Sequence, residues 1–446
     1  MGVKNISIVT LGCSKNEIDS ELMKGLLKNN NYKIVNLLEE AEVIVVNTCG
    51  FIKDAKEESI EMIWEMSRYK KEGKCKYLIL AGCLAERYSS ELLEEINEVD
   101  GVIGTGNIKD IIDIITELEK GGKKVRKINN INESYLEKIN RQSFRPTEYV
   151  KISEGCNNFC TYCIIPSLRG KHRSRKMEDI IEEVKYLVDN GVKEIILIGQ
   201  NTTDYGIDLY NEYKLSELLD RLNKIEKLKW IRLLYLYPDN ITDELISSIK
   251  NNNKVLKYVD IPLQHINDQI LKNMNRKTSK KNIINLIANL REQIPNIIIR
   301  TTFIVGFPDE KEKHFYELYD FIKDIKFDRL GIFTYSREEG TPAYYFENQL
   351  DEKTKEYRRN KIMELQQNIS YSLNSKKIGK IYEVLIEDIY EEDLYVGRTY
   401  MDSPEIDGVV FVKAYNKLEI GEYVNVKVTD YLEYDLIGEI IDEFSK

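Results

Sequence analysis

Three cysteines in the run "EGCNNFCTYC", Cys156, Cys160 and Cys163, stand in the spacing C-x3-C-x2-C directly after the strand-like segment "YVKISEG". Thiolates this close on one loop suit a single compact metal centre, because cysteine sulfur is the usual ligand of iron–sulfur clusters. Three of them leave one iron of a four-iron cubane open, and an open metal position is where a cofactor or substrate coordinates. Two blander arrangements use the same residues: packing cysteines in a core, and a zinc site completed by His172. The compact spacing favours the cluster. It also constrains the fold, since the loop has to be held at the end of a strand with its mouth open.

Four further cysteines bring the count to seven. The start, "MGVKNISIVTLGC", has one lysine and a strand-like run too short for a signal-peptide core. A cytoplasmic, reducing setting is therefore expected, where cysteines are metal ligands or reactive thiols more often than disulfides. Cys13, Cys49 and Cys83 each follow a strand-like run, and in a parallel sheet such ends share one edge, where sites are built. Cys75 instead precedes the strand of "YLILAGC" and is read as structural. Taken alone, the three strand-end thiols fit separate core positions as well as they fit a second ligand set.

At 446 residues the chain exceeds what one hydrophobic core supports, so several domains are expected. It contains no apolar run of the roughly 18 residues that a membrane span needs. "ISIVTLG", "VIVVNTCG" and "YLILAGC" each lead into a helical period, which predicts a parallel α/β domain over 1–120. Residues 121–145, rich in charge and Asn, read as a linker. From 146 to 375, six strand candidates alternate with helical stretches: "YVKISEG", "EIILIGQN", "WIRLLYLYP", "YVDIPLQ", "IIIRTTFIVGF" and "RLGIFTYS". That series predicts a partial (β/α) barrel smaller than the eight-unit form, closed off by a helical pattern from about 351 to 376. Residues 376–446 change to short alternating runs, the pattern of a small antiparallel β-barrel. The fold class is thus α/β with a small all-β domain at the C-terminal end.

Charge divides along the same lines. The formal net charge is −10, yet residues 381–446 alone hold 17 Asp and Glu against 5 Lys and Arg, a balance of −12. Such a surface repels phosphate backbones and attracts basic partners, although a solvated face accounts for it equally well. Other candidates are less specific. Arg169, Lys171, Arg173 and Arg175 in "LRGKHRSR" are placed to meet a carboxylate near the cysteine loop, or simply to face water. Gln200, Gln264 and Arg300 belong to the carboxyl side of barrel strands, where such folds put their sites. His265 is placed alike, but a lone His beside a strand is more often a hydrogen-bonded core residue. "GTGN" from Gly104 has only a fragment of phosphate-loop spacing.

The cysteine triplet, with the aromatic Tyr162 before its last member, resembles the signature of the radical S-adenosylmethionine superfamily. The order of "LGCSKNEIDSE", "VVNTCGFI", "AGCLAERY", "SEGCNNFCTYCIIPSLRG", "LIGQNTTDYG", "IRLLYLYPD", "DIPLQH", "RTTFIVGFPDE" and "GRTYMDSPEIDG" is similar to the methylthiotransferase family over nearly the whole chain, closest to its RimO-type branch. Asn201 stands where Asp is expected after "LIGQ", and Ser14 where Pro is common. The resemblance implies two 4Fe-4S clusters, one on Cys156, Cys160 and Cys163 and one on Cys13, Cys49 and Cys83. It implies S-adenosylmethionine as radical source and as methyl donor, with Tyr162, Gln200, Gln264 and Arg300 as candidate contacts, and no catalytic side chain beyond the clusters. The implied reaction inserts a methylthio group at the β-carbon of an aspartate in small ribosomal subunit protein twelve; related enzymes modify adenosine in transfer RNA. Implied partners are the basic ribosomal protein and an electron donor such as flavodoxin or ferredoxin. The last domain resembles TRAM, and its acidity disfavours RNA contact.

Overall fold

The computed structural model describes residues 2–129, 131–132, 141–142 and 144–441; the middle of the expected linker, 130, 133–140 and 143, and the last residues, 442–446, lie outside the described residues. The first sheet is wholly parallel, in the order β2-β1-β3-β4-β5-β6. Its strands are β1 (Asn5–Thr10), β2 (Lys33–Ile34), β3 (Val43–Thr48), β4 (Tyr77–Ala81), β5 (Val99–Ile103) and β6 (Val125–Lys127). Helices α1 (Ser14–Asn29), α2 (Lys53–Ser67), α3 (Tyr69–Glu72), α4 (Gly82–Arg87), α5 (Ser89–Glu95) and α6 (Ile111–Glu119) connect them. The central β3, "VIVVNT", is buried at every position, as a strand covered on both faces must be. Sequence patterning points to three of these strands; β2, β5 and β6 are short and carry Lys, Asp or Gly, which blurs their period.

The second sheet runs β14-β13-β12-β11-β10-β7 and uses all six strands expected from the pattern. They are β7 (Thr147–Lys151), β10 (Glu194–Ile198), β11 (Trp230–Leu233), β12 (Val255–Gln264), β13 (Ile298–Val305) and β14 (Arg329–Thr334), while β8 (Ser153–Glu154) and β9 (Arg173–Ser174) form a separate two-stranded ribbon. Around them lie α7 (Ile165–Arg169), α8 (Met177–Asp189), α9 (Ile207–Tyr210), α10 (Leu215–Leu222), α11 (Asp243–Asn251), α12 (Asp268–Asn273), α13 (Lys280–Gln293), α14 (Glu312–Ile325) and α15 (Glu352–Ser375). The apolar stripes of α8, α10, α11, α13 and α14 form one core with the sheet, through residues such as Val184, Leu218, Ile249, Leu290 and Phe315. Several of these helices begin on side-chain caps: Thr242 to the Leu245 amide, Ser279 to Asn282 and Asp351 to Thr354.

The chain ends in a closed barrel, β15-β16-β17-β19-β18, built from β15 (Ile381–Glu391), β16 (Leu394–Arg398), β17 (Val410–Lys413), β18 (Tyr423–Tyr431) and β19 (Leu436–Ile440). Its pairings are antiparallel except β17 with β19, which is parallel. That fifth strand and its parallel pairing close the edge that the alternating pattern leaves open, so no strand stays unpaired. The barrel shares a core with the central sheet, where Val384, Met401 and Val410 meet Tyr149, Trp230, Tyr258 and Ile298. Among the described residues no helix is long and apolar enough to cross a membrane.

Candidate functional site

Each strand-end cysteine of the first sheet is fixed by the turn that carries it. Cys13 caps α1, Cys49 follows β3 and Cys83 lies in the first turn of α4. Gly12 has φ +88°, and a Cβ there would lie 2.8 Å from Cys49 Cβ and 3.1 Å from its Sγ, so only glycine lets the two loops approach. Asn16 ties the loops together: its Nδ2 donates to Leu11 O (2.9 Å) and Thr48 O (3.0 Å). Thr48 Oγ1 in turn donates to Ala81 O (2.6 Å). Burial, then the neighbouring Cys83 and Cys13, push the Cys49 thiol up to about 11. Cys13 and Cys83 are thus both near enough to Cys49 to act on it. Cys75 stands apart, buried in the hydrophobic core with its Sγ 3.4 Å from the Tyr77 carbonyl.

The second triplet sits on the loop that follows the β8 strand. Gly155 has φ +77°, and a Cβ there would fall 2.1 Å from the Lys171 carbonyl oxygen. The loop is pinned by main-chain bonds from Cys156 N to Gly170 O (3.1 Å), Thr161 N to Met274 O (3.1 Å) and Cys163 N to Cys160 O (3.0 Å). Burial raises the thiols of Cys156 and Cys163, and Cys160 beside each raises them further. The guanidinium of Arg276 is buried against this loop, with Nη1 4.0 Å from Cys160 Sγ, and is stacked 4.1 Å from the centroid of Tyr237. Sequence reasoning did not single out Arg276, because it lies 116 positions from the cysteine it meets.

A zinc site on the cysteine loop would need His172 as its fourth ligand. His172 engages Ser174 (3.2 Å) and Asp208 (3.5 Å) instead of the cysteines. Buried polar atoms without a hydrogen-bond partner lie at the mouth of the second sheet: Gln200 Oε1, Gln264 Oε1, Asn201 Nδ2, Tyr237 Oη and Arg276 Nε. Polar atoms left open in a buried mouth are what a polar cofactor would satisfy. Gln264 adopts φ +70° at the end of β12, and Gln200 Nε2 donates to Glu154 (2.6 Å). Asn201, in place of the expected Asp, accepts from the Thr203 amide and hydroxyl.

The remaining candidates have partners of their own. Tyr162 packs in an apolar cluster with Phe307, Tyr335 and Met274. Arg300 Nη1 donates to Asp260 (2.9 Å) and its Nε lies 3.4 Å from Asp407 of the terminal barrel. The basic run does not form one charged surface: Lys171 is exposed, while Arg175 is buried and paired with Glu183 (2.6 Å). Arg169 is buried among Asp19, Glu154, Asn16 and Cys83. His265 Nδ1 accepts from the Asn267 amide (3.0 Å), as a core histidine does. The amide of Thr105, in "GTGN", donates to Glu86, so a carboxylate occupies the position a phosphate would need.

A six-stranded parallel sheet with a three-cysteine loop behind its first strand is the scaffold of the radical SAM superfamily, whose family description matches residues 150–322. Residues 5–104 match "Uncharacterized protein family UPF0004" and residues 378–441 the TRAM domain. The chain is 53% identical, over 98% of its length and 100% of the relative's, to the ribosomal protein uS12 methylthiotransferase RimO of Thermoanaerobacter sp. (strain X514). The protein of that name from Clostridioides difficile (strain 630) is 52% identical, over 99% of each chain. The chain belongs to the RimO family of radical SAM methylthiotransferases. Among solved structures, the radical S-adenosylmethionine methyltransferase TsrM from Kitasatospora setae shares the fold, with a TM-score of 0.59 and 10% identity over 94% of this chain and 84% of that one.

Proposed function

We propose that this protein adds a methylthio group to the β-carbon of an aspartate in ribosomal protein uS12, using two 4Fe-4S clusters and S-adenosylmethionine. The observation that carries the reading is the pair of three-cysteine sets, each at the carboxyl edge of its own parallel sheet, in a chain that matches RimO proteins from end to end. Cys156, Cys160 and Cys163 would hold one cluster, and Cys13, Cys49 and Cys83 the other. When bound, these groups supply hydrogen-atom abstraction, sulfur and a methyl group, chemistry that a side-chain base tuned near neutral pH cannot perform on an unactivated C–H bond.

The chain's own residues bind and orient. Gln200, Gln264 and Tyr237 offer open polar atoms at the mouth of the barrel to S-adenosylmethionine. Lys151 and Arg169 hold the Glu154 carboxyl ionised despite its burial, and Glu154 in turn fixes Gln200. Arg300 lies in the amino-side half of β13 and is matched by Asp260 and by Asp407 of the terminal barrel, which gives it a structural partner set away from the cofactor. The terminal barrel presents exposed Glu391, Glu392 and Asp393 at the turn between β15 and β16, a surface suited to a basic protein and poorly suited to RNA. The electron would come from a flavodoxin- or ferredoxin-type donor in the cytoplasm.

Mass analysis of uS12 and of transfer RNA from cells with and without the gene tests the reading. The expected result is loss of a methylthio group from uS12 alone. A methylthio group missing from transfer RNA adenosine, with uS12 unchanged, would overturn it.

A further inference from the structure

The last residue of α7, Arg169, lies six positions beyond Cys163 yet reaches the other cysteine set. Its side chain is 2% exposed. Nη1 donates to Asp19 Oδ2 (2.6 Å) and sits 3.4 Å from both oxygens of Glu154. Nη2 donates to Asn16 Oδ1 (2.6 Å) and lies 3.6 Å from Cys83 Sγ. Asn16 and Asp19 are three residues apart on α1, hence on one face of that helix. Together they clamp both arms of a rigid planar fork, which leaves an N–H directed to the sulfur.

Opposite charges meet throughout this network. Lys151 Nζ donates to Asp19 (2.5 Å) and to Glu154 (2.7 Å), so two cations face two carboxylates with none exposed. Gln200 extends the same network to the mouth of the barrel through Glu154. Packing repeats the connection: Cys83, Ile164 and Leu168 form one small apolar cluster, and Thr105 Oγ1 donates to Leu168 O (2.5 Å). One short segment, from Cys156 to Arg169, thus supplies the ligand loop of one set and a donor to a sulfur of the other.

We infer that Arg169 is a positioning residue which tunes the first-domain centre through Cys83, raising its reduction potential and coupling it to the barrel site. The inference rests on Cys83 being a ligand. A cation and an N–H beside a cluster sulfur favour the more negative, reduced state, and hydrogen bonds to sulfur are among the factors that set cluster potentials. A lysine could replace the charge toward Asp19, but it lacks the second planar arm.

The test uses full-length protein in a Cys156→Ala background, reconstituted anaerobically with iron and sulfide, so that one cluster is read. Its midpoint potential is followed by electron paramagnetic resonance during dithionite titration. Arg169→Met is expected to lower the one-electron reduction equilibrium about tenfold, or about 59 mV. Arg169→Lys, which keeps the charge balance and so the fold, is expected to lower it by a smaller but measurable factor. An unchanged potential in Arg169→Lys, with or without a change in melting temperature, would overturn the inference, and so would loss of the cluster from that variant while folded. A Cys83→Ala variant that keeps its full iron would instead overturn the ligand reading, whatever the titration shows.

Discussion

Cys75 and Cys83 flank the same strand and are equally buried, yet their surroundings differ. Cys75 faces Ile44, Met66 and Leu78 in a core with no other thiol, whereas Cys83 shares its neighbourhood with Cys13, Cys49 and Arg169. Cys49→Ala is therefore expected to remove about half of the bound iron, and Cys75→Ser none, by iron and sulfide analysis of anaerobically reconstituted protein. His265 gives a second test at this scale. Burial lowers its pKa from 6.5 to about 3, and its Nδ1 is committed as an acceptor. Between those values the unfolded chain binds the extra proton, so this residue makes stability rise with pH across the window and fall on acidification, by about 1.4 kcal/mol per pH unit. His265→Gln should flatten that slope by one proton in denaturant titrations from pH 4 to 6.5. The places of these cysteines, three on one loop and three at strand ends, were legible in the sequence because compact spacing and strand-end position are local properties; that the strand-end three act as one ligand set rests on the family resemblance. Asn16, Asp19 and Arg276 were not, since each acts on a partner more than a hundred positions away.

Elements differ in the same way. Six barrel strands and the long α15 announce themselves by apolar runs and a helical period, and they occur where the pattern puts them. Strands β5, β6 and β19 were missed because they are short and broken by Gly or charge, and they are specified by the neighbours they pair with. The loop behind β8 shows how much an element depends on one backbone position. Gly155 combines a left-handed φ with a carbonyl oxygen where a side chain would begin. Gly155→Ala must therefore move the loop or the Lys171 backbone, at a cost of at least about 1–3 kcal/mol. Reductive cleavage of S-adenosylmethionine is expected to fall by more than about tenfold, since a misplacement of this size costs such factors. Iron on the Cys13, Cys49 and Cys83 set should remain, because that set is built from other loops. Retained cleavage with full iron would show that the loop tolerates a side chain there.

At the scale of the whole molecule, the terminal barrel is joined to the central sheet through charge as well as packing. Asp402 pairs with Arg329, Asp407 with Arg300 and Glu383 with Lys229, and Arg398 of the barrel with Glu194 of the central sheet, so these charges hold the domains together. The acids at the turn between β15 and β16 are a different group. Glu391, Glu392 and Asp393 are exposed at one turn, next to exposed Ile389 and Tyr390, and together they form an acidic tip with an apolar flank. A ribosomal protein is basic because it binds RNA, so such a tip attracts it over a distance of about one Debye length and holds nucleic acid off. Lysine at all three positions reverses the local field without touching these four pairs, and the fold should persist. Turnover on uS12 is then expected to fall about tenfold or more in kcat/KM at low salt, through slower association, with kcat little changed. The gap between variant and parent should close as salt is raised. Cleavage of S-adenosylmethionine without substrate should continue, as the barrel tip takes no part in it. An equal loss at low and high salt would assign the tip a contact role in place of steering, and an unchanged kcat/KM would move the docking surface elsewhere on the chain.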